Sequence, residues 1–245
     1  PRSALAEALR GAGQGPRAID LLTHAIRRAH LNAELHAALA EHLWASEACH
    51  PAIERMVVAL EVDPAAPERW RTLARMAEAA SESEAVLASA ERLALARPLS
   101  GWARFGVAIL LDRERQRERR LAALEAAVAL DPRNLEAHEE RAWLLAAKGE
   151  LEPALAACNP PGYGGRPPLR LRGRAAWIQG RLGDRARAYA EVQALVAEDP
   201  TYVFAWACIG DWARAAGDHH AAVKAYRVLL RHNPNMGSAA VALFD

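Results

Sequence analysis

Lysine is nearly absent from this chain. Only Lys148 and Lys224 stand among 31 basic residues, so arginine carries almost all of the positive charge. A net excess of either sign is absent too: 31 Lys plus Arg face 30 Asp plus Glu, a formal charge of +1. That balance argues against a general binder of nucleic acid or of membrane surfaces, which needs a basic excess or a basic face. Cysteine is scarce: Cys49, Cys158 and Cys208 are odd in number, far apart and in no CxxC pair. Neither a disulfide framework nor a zinc site is indicated, and a reducing, cytoplasmic setting is the expectation. No apolar run approaches the roughly 18–20 residues of a membrane span, and no secretory signal is visible. Walker loops, nucleophile elbows and HExxH motifs are missing, so no catalytic, cofactor-binding or metal-binding residue is expected. The richness in alanine and arginine resembles the coding of a GC-rich bacterial genome.

What the chain does have is a period. Pro64, Pro98 and Pro132 follow one another at 34 residues, Pro200 lies twice that distance beyond Pro132, and Pro234 another 34 further on. Four of the five follow an acidic or amide residue: Asp63, Asp131, Asp199 and Asn233; Arg97 precedes the other. Such a lattice is the signature of a repeat architecture. Within 203–236, Trp206, Ile209, Gly210 and Ala213 form one helical stripe, Gly217-Asp218 breaks it, and Ala222, Val223, Tyr226 and Leu229 form a second. Asp218 is placed to cap the second helix, and Pro234 ends it. The 245 residues divide on this period into 1–32, 33–66, 67–100, 101–134, 135–168, 169–202 and 203–236, with 237–245 reading as a capping or further helix.

These residues resemble the tetratricopeptide repeat family. The resemblance is carried by a small residue in each first helix (Ala6, Ala40, Ala74, Ala108, Ala142, Ala176, Gly210), a small residue early in the second (Ala18, Ala52, Ala154, Ala188, Ala222), and the terminal prolines. It covers essentially the whole chain. Val86 and Arg120 depart from the small second-helix residue, and Glu47, Ser81 and Arg115 stand where the turn has glycine elsewhere.

The resemblance implies an all-α fold, a right-handed superhelical αα-solenoid whose first helices line a concave groove, and a binding scaffold rather than an enzyme. The positions that line the groove in the family carry Trp44, Arg71, Arg75, Trp102, Phe105 and Asp112 in the first half of this chain. In the second half they carry Trp143, Arg170, Trp177, Arg181, Phe204, Asp211 and Arg214. Tryptophan and arginine are enriched at binding hot spots because each buries a large area while offering a polar contact. Packing against neighbouring helices is the competing role for the same rings. Trp70 and Trp206 occupy the family's structural aromatic position. The lysine and asparagine clamp of the chaperone-binding members is absent, since Glu41, Thr72, Glu68 and Arg71 stand there.

The expected partner is a peptide or helix of another protein, with neither nucleic acid nor membrane, and self-association is open. Two alternatives stand beside it: a recognition arm of a larger enzyme, and a self-associating assembly scaffold. The start at Pro1 and the apolar stretch 237–245 leave both open. Three local features remain. Residues 112–120, "DRERQRERR", read as a solvated turn and helix start with interleaved charges. His219 and His220 point about 100° apart on a helix and lack a third ligand nearby. "CNPPGYGGRPPLRLRGR", 158–174, keeps the 34-residue register, so it replaces the end of a helix rather than joining two domains. Pro160 and Pro161 must stop the preceding helix near Cys158, and Leu169 must begin the next. A hinge or an extra contact surface centred on Tyr163 is the sharper reading of that loop.

Overall fold

The punctuation of the sequence becomes the punctuation of the fold. The structure, a computed structural model, describes residues 2–232, so Pro234 and the stretch 237–245 lie outside the described residues. Helices α1 (Arg2–Gly11) and α2 (Gly15–Arg28) are followed by α3 (Ala33–Ala45), α4 (Cys49–Val62), α5 (Pro67–Ala79) and α6 (Ser83–Ala96). Next come α7 (Gly101–Leu110), α8 (Arg117–Leu130), α9 (Leu135–Lys148) and the short α10 (Leu151–Ala157). A 3-10 turn (Pro161–Tyr163) precedes α11 (Leu169–Leu182), α12 (Arg185–Glu198), α13 (Val203–Ala215) and α14 (His219–His232). No strand occurs among the described residues, and no described helix is long and apolar enough to cross a membrane. The chain forms two compact units, Pro1–Ala137 and His138–Asp245.

Each aspartate-proline pair ends a helix by the same device. α4, α8 and α12 stop at Val62, Leu130 and Glu198, two residues before Pro64, Pro132 and Pro200. The residue before a proline is pushed out of the helical region, and Asp63, Asp131 and Asp199 adopt ψ of 95°, 89° and 97°. Each aspartate then accepts a hydrogen bond from the backbone N–H two residues on, at Ala65, Arg133 and Thr201, over 2.9–3.1 Å. This Asx turn reverses the chain. The indole N–H of Trp70 donates to the carbonyl of Pro64, and that of Trp206 to the carbonyl of Pro200, both over 2.9 Å. These two rings therefore tie a first helix to the proline before it. Three first helices, α3, α7 and α9, start on side-chain caps: Asn32, Ser100 and Asn134 accept from Leu35, Ala103 and Ala137. Asp218 caps α14 by accepting from Ala221 over 3.0 Å.

Within each hairpin the helices meet at the small residues. Ala6, Ala40, Ala108, Ala142 and Ala176 of the first helices are wholly buried, as are Ala18, Ala52, Ala154 and Ala188 of the second. A methyl group at these points lets backbones approach while burying no polar group. Gly106 shows the limit: a Cβ there would fall on the indole of Trp70.

Two hairpins depart from the pattern, each for a local reason. Arg120 occupies the small-residue position of α8 and is buried, with Nη1 donating to the carbonyl of Leu111 over 3.0 Å. α7 stops at Leu110 after 10 residues, where α5 and α13 have 13. Residues 112–116 form the turn that follows, so the arginine-rich run is a turn and helix start. In the unit 138–245, α10 stops at Ala157 after 7 residues, Cys158 is its buried cap, and Leu169 opens α11. Gly164 and Gly165 take left-handed φ of 58° and 76° in the intervening loop.

Hairpin turns other than that between α7 and α8 use the left-handed region whether or not glycine is present. Gly13, Gly149, Gly183 and Gly217 adopt positive φ, and so do Glu47 at 62° and Ser81 at 58°. A side chain in that region costs about 1–2 kcal/mol. Ser81→Gly should therefore stabilise the fold by about 1 kcal/mol after the entropy of the unfolded glycine is counted, raising the melting temperature by about 2–4 °C in a circular dichroism melt.

His50, at the start of α4, reaches across to the turn ahead of α6. Its Nδ1 lies 3.0 Å from Glu82 Oε2 and its Nε2 lies 3.4 Å from Glu54 Oε1. The hydrogen bond and charge of Glu82, followed by the charge of Glu54, raise its pKa above the ordinary 6.5. A raised folded-state pKa gives stability that is complete below the unfolded value and is lost as pH rises through the folded one. His50→Gln should melt below the wild type in buffers under pH 6.5 and converge with it in alkaline buffer.

Candidate functional site

The tetratricopeptide-like pattern places the candidate residues on first helices, and the two units treat them differently. In the unit 1–137 most are absorbed into structure. Phe105 is wholly buried and meets Trp102 edge-on, with centroids 5.6 Å apart. It is a core residue of α7, so the groove reading is corrected at this position. Asp112 lies beyond the end of α7, where its Oδ1 accepts from the backbone N–H groups of Glu114 and Arg115 over 2.9 and 2.6 Å. Those two donors hold its carboxyl below the usual carboxylate range. It caps a turn and lies on no helix, since α7 ends at Leu110. Arg71 is engaged by Glu68 at 2.6 Å and by the buried Glu136. Arg75 is exposed and donates to Thr72 Oγ1 over 3.1 Å, and Trp44 is half-buried on α3.

In the unit 138–245 the candidates converge. Arg170, Arg174, Trp177 and Arg181 recur on α11 at spacings of four, three and four, which sets them along one helical stripe. Arg170 and Arg174 both reach Glu139 of α9, Arg174 through Nη2 at 3.4 Å. The guanidinium of Arg174 lies 4.5 Å from the ring centroid of Phe204 on α13 and 5.6 Å from that of Trp177. Arg181 stacks on the other side of the same stripe, 5.1 Å from the Trp177 ring, and its Nη1 donates to the carbonyl of Ala146 on α9 over 2.9 Å. Two guanidinium groups, of Arg170 and Arg174, thus share the Glu139 carboxylate, and the rings of Trp177 and Phe204 lie against Arg174, with Arg181 on the Trp177 ring.

The packing beneath explains why the cluster holds its shape. Ala176, Val192, Leu195, Ala205, Cys208 and Ile209 form a buried core, with Trp177, Tyr202 and Phe204 packed against it. The hydroxyl of Tyr202 donates to the carbonyl of Arg170 over 3.3 Å, and Gly173 makes room for it, since a Cβ would strike that ring. Burial pushes the thiols of Cys158 and Cys208 up to about 12. Both remain neutral, and neither is an activated nucleophile. Further along α13, Asp211 accepts from the hydroxyl of Tyr226 over 2.9 Å, and Arg214 is exposed. Trp143 is half-buried on α9. No group of three or more His, Cys, Asp or Glu able to hold a metal ion occurs among the described residues.

Sequence reasoning does not single out Arg174 or Glu139. Arg174 stands off the groove-lining positions of the repeat, and its spacing of four from Arg170 and three from Trp177 is the signal that marks it. Glu139 stands at a groove-lining position but is a carboxylate among aromatic and basic residues, and only the fold shows which arginines it meets.

No protein-family model matches the chain, and no curated protein matches it in sequence. Solved structures do. A tetratricopeptide repeat protein from Parabacteroides merdae aligns over 99% of this chain and 96% of its own, with a TM-score of 0.66 at 16% identity. Cut9, from the APC/C hetero-tetramer Cut9–Hcn1, aligns over 98% of this chain and 47% of its own, with a TM-score of 0.60 at 11% identity. PilW, a type IV pilus biogenesis factor, aligns over 81% of this chain and 92% of its own, with a TM-score of 0.52 at 19% identity. With helical hairpins on a 34-residue period, small residues at their crossings and these structural likenesses, the chain has the all-α solenoid fold of the tetratricopeptide repeat proteins.

Proposed function

We propose that this chain is a protein-interaction scaffold, and that the first-helix face of its unit 138–245 seats a segment of a partner protein. The observation that carries this reading is the ordering of Arg174 between Trp177 and Phe204, with Arg170 and Arg181 alongside. Rings and guanidinium groups held by packing lose little freedom on binding, which is how a preformed surface gains affinity. Half-buried rings leave apolar area for a partner side chain, and the arginines offer planar donors beside it. The fold supports the same reading. Cut9 is found in a hetero-tetramer with Hcn1, and the row of parallel first helices in such folds suits an extended or helical segment. The chemistry of the cluster suits recognition rather than turnover, since its thiols are neutral and buried and the Glu139 carboxylate is engaged by two arginines.

Truncating the ring at the centre tests this. Trp177→Ala should abolish recovery of the proteins that the wild-type chain captures from a cell lysate, while its far-UV circular dichroism stays that of the wild type. Trp44→Ala, in the other unit, should leave capture unchanged. A loss of helicity in Trp177→Ala, or undiminished capture by a folded variant, assigns the ring to the core and removes this face from the binding role.

A further inference from the structure

We infer that the outer face of α14 is a docking surface for an anionic phospholipid membrane. It uses none of the residues of the first-helix cluster and stands independently of it. α14 carries no acidic residue. One side of the helix, Ala222, Ala225, Tyr226 and Leu229, is buried and packs with residues of α13. On the opposite side His220, Lys224, Arg227 and Arg231 recur at spacings of four, three and four, and all four are exposed. That spacing sets them in one stripe, about 16 Å long at the helical rise. Half-buried Val223 and Val228 flank the stripe, and His219 stands at its start. Together these side chains line an open hollow to which no carboxylate contributes.

A formal charge of +1 over the whole chain conceals this face, because a sum says nothing of where the charges lie. Register shows which side of the helix it is. One period earlier the equivalent positions of α12, Ala186, Ala190, Gln193, Ala194 and Ala197, are exposed although α13 follows. The next hairpin stacks instead on the side of Val192 and Leu195. The stripe therefore lies on the outward side of a second helix. α12 has no charge at those five positions, whereas α14 has Lys224, Arg227 and Arg231 at three of them and His220 at a fourth. The shape of the face selects the partner. All of its lining belongs to a single helix, so it has no second wall to seat a peptide. The one aromatic ring of α14, Tyr226, is buried, and the helix has no Asn or Gln, so bases find nothing to stack on or pair with. What remains recognises phosphate by charge: long stems lie along the valines while their heads reach a plane of phosphates. With the chain nearly neutral elsewhere, the attraction acts only within a Debye length, roughly 8–10 Å at physiological salt.

Co-sedimentation of the full chain with vesicles tests this. The vesicles contain phosphatidylcholine alone, or phosphatidylcholine with about one third phosphatidylglycerol, at low and at high salt. The chain should pellet with the anionic vesicles only, and less as salt rises. The variant Lys224→Gln, Arg227→Gln, Arg231→Gln should lower the partition coefficient about tenfold or more while its circular dichroism stays that of the wild type. Arg28→Gln, Arg55→Gln, Arg92→Gln removes the same charge from exposed positions of the unit 1–137 and should change it less than about twofold. Equal pelleting with neutral vesicles, or at all salt concentrations, overturns the inference. So does an equal loss in both triple variants, which makes net charge rather than this face responsible. Polyglutamate and a DNA duplex are titrated in parallel by fluorescence anisotropy. Binding of either one through Lys224, Arg227 and Arg231, without pelleting, assigns the face to that class and overturns the membrane.

Discussion

The structure depends on how closely two helices of a hairpin can approach. At most crossings of a first helix with its second a buried alanine or glycine stands in both, with Val86 and Arg120 as the second-helix exceptions. An α-helix carries its backbone polar groups in internal hydrogen bonds, so two helices may lie in near-backbone contact once the side chains between them shrink to a methyl group. Arg120 shows what happens when the rule is broken. A guanidinium group at the crossing must find an acceptor, and it takes the carbonyl of Leu111, the residue just after the last of α7.

The same economy shapes the candidate site. Three arginines and two aromatic rings on neighbouring first helices would repel or collapse on a flexible surface. Here the core under α11, α12 and α13 fixes the rings, the rings fix the guanidinium planes, and Glu139 lowers the repulsion between Arg170 and Arg174. Cation–π contacts of this kind contribute about 0.5–2 kcal/mol each depending on exposure, which orders the side chains without consuming their in-plane donors. Tyr202 and Gly173 complete the support, one filling the space the other vacates.

Much of the fold was legible because it rests on short-range rules. Aspartate followed by proline dictates a helix stop and an Asx turn, and Asp63, Asp131 and Asp199 all obey. Pro160 and Pro161 likewise dictate the end of α10 near Cys158. Left-handed turns were less legible, because Glu47 and Ser81 accept a conformation that glycine would have announced. The site was least legible. Repeat position alone put Asp112 on a groove-facing helix, but α7 ends at Leu110 and the position is a turn. Phe105 satisfied the pattern of an open-face residue and is nonetheless wholly enclosed. Arg174 lay off the expected positions, and Glu139 is a carboxylate whose role depends on which arginines cross to it.

By itself, then, the sequence determined the period, the helix stops, the small-residue crossings and the all-α solenoid, because each follows from dihedral limits or side-chain size within a few residues. Tertiary structure alone decided which aromatic rings remain half open and which arginines share a carboxylate. Those outcomes turn on groups about 30 residues apart, such as Arg174 with Phe204 and Glu139, brought within contact only when successive hairpins stack.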